Sequence, residues 1–558
     1  MVAHRVTITR HRSHHPCAHA IFSSIGQQIG RQIMTMPSSA ASHASTSSGE
    51  LAHTQAAGAS PTATRQTQAS AQPGQTKKVG LIGLVGIVIS AMVGGGIFNL
   101  PQNMSADASA GGQIIAWVIT GIGMWFIANT FRILSAARPD MKDGLYAYAY
   151  HGFGKYVGFL ISYGYWLCNC FSLVAYGVLI MSTLDLFFPG KFTGGNNLAS
   201  IIGGSLILWI MVLLALRGAK SGAFLNLIGT VCKIAPVLVF IVAMMTVFKF
   251  SQFVIGFWGV SQSGVPLHFE FGNVMKQVSS TMLVTLWLFL GIEGAVVISG
   301  EARSQKDVSK ATTIGYLTVL IVYVLVSLLP LGVDGYRDIG AMQNPSMAVL
   351  MAQKVGQWGS DLVNVGIIIS VLSAWLVWMI MLGQMPMYAA RDGIFPESFA
   401  KQNKHGAPST ALIWTAIITQ VIFVICLFVK GSAWNTLISI TSVMAMPCYL
   451  LCCVFLWKIA LKEPWPTTIR FSKRNGLITG VLGTVFALYL VYSAGLHYLM
   501  IACILYAIGL PLFIVSRREH AKGTKLLDLF TKWEKILVVI VLVAAVAGIV
   551  VTILYFVH

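Results

Sequence analysis

Long apolar segments recur along this chain, and they restrict its possible folds more than any other feature. Many of them reach ~18 residues or more, the length at which a helix crosses the hydrocarbon core of a bilayer. We predict thirteen such spans, at 79–106, 112–135, 156–187, 198–216, 222–248, 272–300, 311–333, 359–390, 409–430, 433–457, 475–494, 496–515 and 536–557. A transmembrane β-barrel would instead show alternating segments of about ten residues. The sequence therefore predicts an all-α integral membrane protein with about thirteen transmembrane helices.

Charged residues are scarce and unevenly placed. Only 10% of the 558 residues are charged, against about 25% in ordinary soluble domains. The formal net charge of +19 could indicate a nucleic-acid partner. If the first span begins in the cytoplasm, however, twenty-four Lys and Arg residues fall in cytoplasmic loops and only six in outer loops. This positive-inside bias favours membrane lipids over nucleic acid as partners. It also predicts a cytoplasmic N-terminus, and we expect the membrane to be the bacterial inner (plasma) membrane.

The chain divides into three predicted parts. Residues 1–76 are rich in Ser, Thr, Ala, Gln and Gly without an apolar period, which predicts a disordered cytoplasmic tail. Its first stretch, HRVTITRHRSHHPCAHA, is open to three interpretations: a metal site, a transit peptide, or an over-long gene start. Residues 77–516 form a membrane core of twelve spans, and residues 517–558 add a basic loop and a thirteenth helix. The nine cysteines lie mostly inside spans, so we expect no disulfide, no metal site and no cofactor.

Glycines interrupt two of the spans. Gly94, Gly95 and Gly96 stand together near the middle of the first span, and Gly291 and Gly294 interrupt the sixth. A break in a membrane helix persists only where it lines a cavity. Tight helix packing is the alternative explanation. Paired breaks in corresponding positions of two halves favour an inverted-repeat transporter with a substrate site near the midplane.

The two breaks predict the chemistry of the ligand. Free amides from Gly95 to Phe98 would bind a carboxylate, and unwound carbonyls near Trp287 and Leu290 would accept hydrogen bonds from an ammonium group. The combination fits an α-amino acid. Aromatic rings at the same depth could bind a cationic side chain, although packing or interfacial anchoring is the better explanation for any single Trp. Trp287 is the exception, because it lies in mid-span beside the break. These aromatic residues are Tyr165, Trp166, Trp287, Trp375 and Trp378.

Two ionisable residues lie deep inside spans. Glu293 stands in the sixth span, where an ionisable group costs roughly 2.5–3.5 kcal/mol. On a continuous helix it would face away from Trp287, so we do not expect it to pair directly with the substrate. We favour a role in transport over a structural role in satisfying freed amides. Lys233 lies in the fifth span, too deep to reach water easily.

Four strings of residues carry a family resemblance. They are VGGGIFNLPQNM, GLYAYAYHGFGKYVGF, LWLFLGIEGAVVISGEARSQKDV and MYAARDGIFPESFAKQNKHGAP. The chain from about 79 to 515 resembles the basic amino acid/polyamine antiporters of the amino acid–polyamine–organocation superfamily. Within them it is most similar to the arginine/ornithine antiporter and lysine permease group. The resemblance implies an amino acid permease core with a 5+5 inverted repeat like that of leucine transporters, in which helices 1 and 6 are broken.

The resemblance also implies roles for individual residues. The segment Gly94, Gly95, Gly96 and Ile97 would hold the α-carboxylate of the substrate. Trp287 would stack on the cationic side chain and help to close the outer gate, and Leu290 would supply a neighbouring contact.

Further positions follow from the same resemblance. Trp378 matches a tryptophan below the substrate, Tyr165 and Glu293 match gate residues, and Lys233 would replace the sodium ion of related transporters. Two positions depart from arginine/agmatine relatives, because Gly95 stands in place of a serine and Leu173 in place of an asparagine. Both departures argue against agmatine as the counter-substrate.

We therefore predict a secondary transporter that exchanges cationic amino acids by alternating access, with arginine/ornithine antiport as the first choice. A proton-coupled or uniport importer of lysine or arginine would use the same site and stays open. A membrane-embedded enzyme would need a motif such as HExxH, GxSxG or paired acids, which the spans lack. Expected partners are small cationic amino acids, membrane lipids and a second copy of the chain in a homodimer.

Overall fold

The computed structural model describes residues 80–141, 145–218, 222–293, 303–467, 469–521 and 529–557. The predicted tail at 1–76 and Gly294 fall outside these residues.

Long apolar helices form the body of the protein. They are α1 Leu81–Met92, α3 Ala110–Ala137, α5 Lys155–Phe187, α6 Leu198–Leu216, α7 Gly222–Val247, α9 Phe271–Leu288, α10 Gln305–Leu328, α13 Gln357–Arg391, α14 Ser409–Cys426, α15 Ala433–Lys462, α16 Lys473–Ser493, α17 Gly495–Ile508, α18 Leu510–His520 and α19 Lys532–Val557.

Short helices complete the first span or lie in the connections. They are α2 Leu100–Ser105, α4 Leu145–Phe153, α8 Phe250–Phe253, α11 Tyr336–Gly340 and α12 Ser346–Lys354, with 3-10 turns at Gly95–Asn99, Thr193–Gly195, Leu329–Gly332 and Glu397–Ala400. Between the described residues, the only strand-like pairing is an isolated antiparallel bridge that joins Val260 to Pro266.

Eleven helices in the described part of the chain are long and apolar enough to cross a membrane, or twelve if the bent first span is counted. The predicted sixth span corresponds to α9, and its last residues, from 294, lie outside the described part of the chain. The predicted all-α integral membrane fold is confirmed. The most deeply buried spans are α5 and α15. Side chains on these two helices therefore face the interior of the protein.

The first expected helix break is present, and the described part of the sixth span stops being helical where the second break is expected. Helix α1 ends at Met92, and the chain resumes as a 3-10 turn at Gly95–Asn99 that leads into α2, with a bend of 52° between the two halves. Helix α9 ends at Leu288, and Gly291 then adopts a φ of +98°. Only glycine adopts that region without strain, so Gly291 enforces the second break.

The carboxylate of Glu534, at the start of α19, ties the last helix to the core. One oxygen accepts a hydrogen bond from the backbone N–H of Tyr156 at 3.0 Å. The other accepts from Arg517 at 3.2 Å and from the backbone N–H of Thr531 at 2.9 Å. The side chain is only 8% exposed. Because Tyr156 lies in the first turn of α5, α19 contributes a cap to the helix that carries Tyr165.

We expect Glu534→Gln to destabilise the folded protein. Glutamine removes the negative charge that pairs with Arg517, and its single carbonyl oxygen cannot accept at both positions of the carboxylate. The Nε of Arg517 is already buried without a partner among the described residues. The loss should amount to about 2 kcal/mol, read as a fall of several degrees in apparent Tm in detergent. Glu463→Gln is the control, since Glu463 contacts Arg138 at 3.5 Å and is half exposed. Equal shifts for the two variants would contradict the prediction.

Candidate functional site

A cavity lies where the breaks of α1 and α9 face each other. Its empty volume is about 380 Å³, a figure that includes open solvent at its mouth. The residues that line it are Ala91, Met92, Gly94, Gly96, Asn169, Ser172, Tyr176, Trp287, Leu288, Leu290 and Trp378. None of these described lining residues carries a charge. A ligand in this cavity would therefore meet main-chain groups, aromatic faces and neutral polar side chains.

The glycines at the two breaks allow the backbone to approach closely. Gly94 is an extended N-cap for the turn Gly95–Asn99, and no side chain caps it. The first N–H groups of a helix lack internal partners and form the positive end of its dipole, which suits a carboxylate. Gly291 lies against Ala91, so that a Cβ at Gly291 would be 2.7 Å from the Ala91 carbonyl oxygen. The two breaks are thus in direct backbone contact.

The indole of Trp287 packs directly on Gly96. A Cβ at Gly96 would lie 1.8 Å from the Trp287 ring, so only glycine fits there. The indole N–H donates to Ser172 Oγ at 3.3 Å. The ring also packs edge-on against Trp434, with centroids 5.3 Å apart and planes at 84°. These contacts fix the position of Trp287 in the cavity wall, one residue before the end of α9.

Helix α5 contributes one polar stripe to the cavity wall. Tyr165, Asn169, Ser172 and Tyr176 are spaced by four, three and four residues, which places them on one face of a helix. The last three line the cavity, and the amide of Asn169 donates to the Tyr165 carbonyl oxygen at 2.7 Å.

Glu293 follows the end of α9 by five residues and is not among the residues that line the cavity. It is 4% exposed. One of its carboxylate oxygens accepts a hydrogen bond from the Tyr165 hydroxyl, and the other accepts from the Tyr449 hydroxyl at 2.9 Å. Glu293 therefore joins the sixth span to α5 and α15. Both of these partners are protein hydroxyls, and the part of Glu293 in gating stays a prediction.

We expect Glu293→Gln to retain substrate binding within about threefold and to slow transport about tenfold. The amide keeps the size of the side chain but offers only one acceptor oxygen to the two phenols. Tyr449→Phe, which removes one hydrogen bond and leaves the carboxylate, should have a smaller effect. Binding by calorimetry and exchange in proteoliposomes separate the two quantities. A Gln variant with the wild-type rate would reduce Glu293 to a structural cap.

Lys233 is 2% exposed and connects α7 to α1. Its ammonium donates to the carbonyl oxygen of Ser90 at 2.9 Å and to the Ser90 hydroxyl at 3.2 Å. Both hydrogen bonds described for Lys233 go to α1, two residues before that helix ends. Helices α7 and α13 pack tightly nearby, since a Cβ at Gly229 would be 2.3 Å from Ser373 Oγ.

Most residues predicted to bind substrate lie around the cavity. Of that set, Gly94, Gly96, Trp287, Leu290 and Trp378 line it. Their roles in binding stay predictions.

Other predicted positions lie outside the lining. Gly95 and Ile97 are fully buried beside it and do not line it. Leu173, the position of the asparagine in relatives, is also fully buried outside the lining. The neighbouring Asn169 and Ser172 supply the polar groups of α5 instead.

Sequence reasoning missed several residues around the site. Asn169, Ser172 and Tyr176 could have been found, because they continue the helical stripe that begins at Tyr165. Tyr449 and Trp434 carry no such local signal, since their partners lie far away in the sequence.

Comparison with known proteins assigns the family. The model of a family described as amino acid permease matches residues 79–496. The chain belongs to the amino acid permease family. The matched range includes both broken helices and every residue that lines the cavity.

Curated relatives of this permease are similar over most of their length. A putative amino-acid transporter of Clostridium perfringens (strain 13 / Type A) is 50% identical over 475 residues, which cover 85% of this chain and 98% of the relative. An arginine/agmatine antiporter of Chlamydia pneumoniae is 45% identical over 451 residues, 80% of this chain and 92% of the relative. An arginine/agmatine antiporter of Chlamydia abortus is 44% identical over 459 residues, which cover 82% of this chain and 93% of the relative. These relatives confirm the resemblance to basic amino acid antiporters.

Proposed function

We propose that this permease exchanges cationic amino acids across the membrane by alternating access. The observation that carries the proposal is the uncharged cavity between two broken helices. A helix N-terminus at Gly94–Gly96 provides donors for a carboxylate, and main-chain carbonyls at the ends of α1 and α9 provide acceptors for an ammonium group. Trp287 and Trp378 offer aromatic faces to a cationic side chain.

Arginine is the proposed principal substrate, and ornithine the proposed counter-substrate. Two relatives, the antiporters of Chlamydia pneumoniae and Chlamydia abortus, are named as arginine/agmatine antiporters, which supports arginine and pairs it with agmatine. The uncapped helix N-terminus beside Gly94 supports a counter-substrate that still has a carboxylate. Ornithine has this group and agmatine lacks it.

Counterflow of labelled arginine into proteoliposomes tests the proposal. Vesicles loaded with ornithine, agmatine, lysine or no amino acid are compared under an imposed membrane potential. Arginine and ornithine each carry one net positive charge near neutral pH, whereas agmatine carries two. Arginine/ornithine exchange should therefore be insensitive to the potential, and arginine/agmatine exchange should respond to it.

Each outcome of the counterflow assay has a definite meaning. Rapid uptake only with internal ornithine supports the proposal. Rapid uptake only with internal agmatine would replace the counter-substrate. Uptake into empty vesicles, driven by a pH gradient or by arginine alone, would favour the importer, the second candidate.

The permease is an integral membrane protein by its helices and its family. The bacterial inner membrane, a cytoplasmic N-terminus and a homodimer are further proposals. The asymmetry of Lys and Arg between alternate loops supports the orientation. Labelling of single cysteines placed in loops on either side would test it.

A further inference from the structure

One tyrosine touches both helix breaks at once. Tyr323, on α10, is fully buried. Its hydroxyl donates to the carbonyl oxygen of Met92 at 2.7 Å and to that of Leu288 at 3.0 Å. Met92 is the last residue of α1 and Leu288 is the last residue of α9. No other described side chain hydrogen-bonds to both of these helix ends.

These carbonyl groups lose their intrahelical hydrogen-bond partners where the two helices end. The last carbonyls of a helix have no partner within it, and an unpaired carbonyl at membrane depth is costly. Met92 also accepts from the N–H of Gly94 at 2.9 Å. Because a phenol has only one proton, its hydrogen bond is shared between the two carbonyls. The shared bond requires the ends of α1 and α9 to stay within reach of the same oxygen atom.

The ring of Tyr323 is itself held firmly. It packs edge-on against Phe289 with centroids 5.5 Å apart, and it lies 6.2 Å from the ring of Trp117 on α3. Its position is thus set by α3, α9 and α10 together. Met92 and Leu288 both line the cavity, so the Tyr323 hydroxyl holds two parts of the cavity wall from outside the lining.

We propose that Tyr323 is a positioning residue for transport. Its hydroxyl keeps the ends of α1 and α9 together, so that the two breaks change conformation as one unit. This inference rests on the proposed function, because it assigns Tyr323 a part in the conformational cycle of an exchanger.

Tyr316 provides a matched control on the same helix. It lies seven residues before Tyr323, is also almost fully buried, and also packs against Phe289 at 5.5 Å. Its hydroxyl donates to the carbonyl oxygen of Gly121, in the middle of the unbroken helix α3. Tyr316→Phe and Tyr323→Phe therefore remove the same atom and one donor from similar surroundings, and only Tyr323→Phe affects the breaks.

Two measurements on the full chain test the inference. In proteoliposomes, Tyr323→Phe should lower the maximal arginine/ornithine exchange rate about tenfold per folded transporter, with Tyr316→Phe within about twofold of wild type. Arginine affinity should fall by less than the rate. By hydrogen exchange and mass spectrometry, amides at 89–97 and 286–292 should exchange faster in Tyr323→Phe only.

The outcomes separate this inference from the proposed function. If wild type exchanges arginine and the two Phe variants behave alike in both measurements, the positioning role is overturned. If wild type does not exchange arginine, the proposed function fails, and hydrogen exchange still decides whether Tyr323 holds the two breaks. Faster amide exchange at both breaks with an unchanged rate would limit Tyr323 to a structural role and overturn its part in transport.

Discussion

Replacing Gly96 with alanine is expected to reduce arginine exchange to less than a tenth of the wild-type rate. The added Cβ would lie 1.8 Å from Cζ3 of Trp287 and less than 3 Å from two further ring atoms. The indole must therefore leave its position, which breaks its hydrogen bond to Ser172 and its contact with Trp434. Such overpacking typically costs about 1–3 kcal/mol. Because the displaced ring forms part of the cavity wall, we expect both arginine affinity and the exchange rate to fall.

Gly86→Ala is the matched control for this substitution. Gly86 lies in α1, and a Cβ there would have nothing within 4 Å. Its exchange rate should stay within about twofold of wild type, because alanine also favours the helix. A double variant adds a second check. Once Trp287→Ala has removed the ring, adding Gly96→Ala should cost little more, since the two effects share one contact. Normal exchange by Gly96→Ala alone would show that Trp287 is free to move without consequence.

Lys233→Met is expected to lower exchange at least tenfold while leaving membrane insertion intact. Methionine has a similar length but cannot donate to Ser90, so α1 loses the cation that contacts it two residues before the break. Lys276→Met removes a charge from an exposed position on α9 and should leave exchange unchanged. Insertion is measured by the yield of folded protein from membranes, and exchange by counterflow.

The same assay tests whether Lys233 takes the place of sodium. Wild-type exchange should be equal in sodium, potassium and choline salts, because a fixed cation already occupies the position. A strict sodium requirement in wild type would contradict this assignment. Full activity of Lys233→Met without sodium would show that the ammonium group is not needed at all.

The sequence was most informative where chemistry is local to the chain. The glycines at 94–96 and Gly291 indicated the two breaks. Gly291 has a φ of +98°, which favours glycine, and a Cβ at Gly96 would overlap the ring of Trp287. The structure places these residues at or beside the cavity.

Contacts between distant spans were beyond sequence reasoning. Tyr449 lies 156 residues from Glu293, and Tyr323 lies 231 residues from Met92. In a helix that is apolar on nearly every side, such as α10 or α15, hydrophobic periodicity does not reveal which face meets a break. The choice between Leu173 and its neighbours Asn169 and Ser172 depended in the same way on the rotation of α5, which only packing determines.

The direct backbone contact between the two breaks has a consequence for the evolution of substrate specificity in this fold. Gly291 lies against the main chain of Ala91, and the donors and acceptors proposed for the common part of every α-amino acid are peptide groups. Point mutation replaces side chains and leaves peptide groups in place. New specificities can therefore evolve through positions such as Ser172, Leu290 and Trp378, while recognition of the amino acid backbone is inherited unchanged.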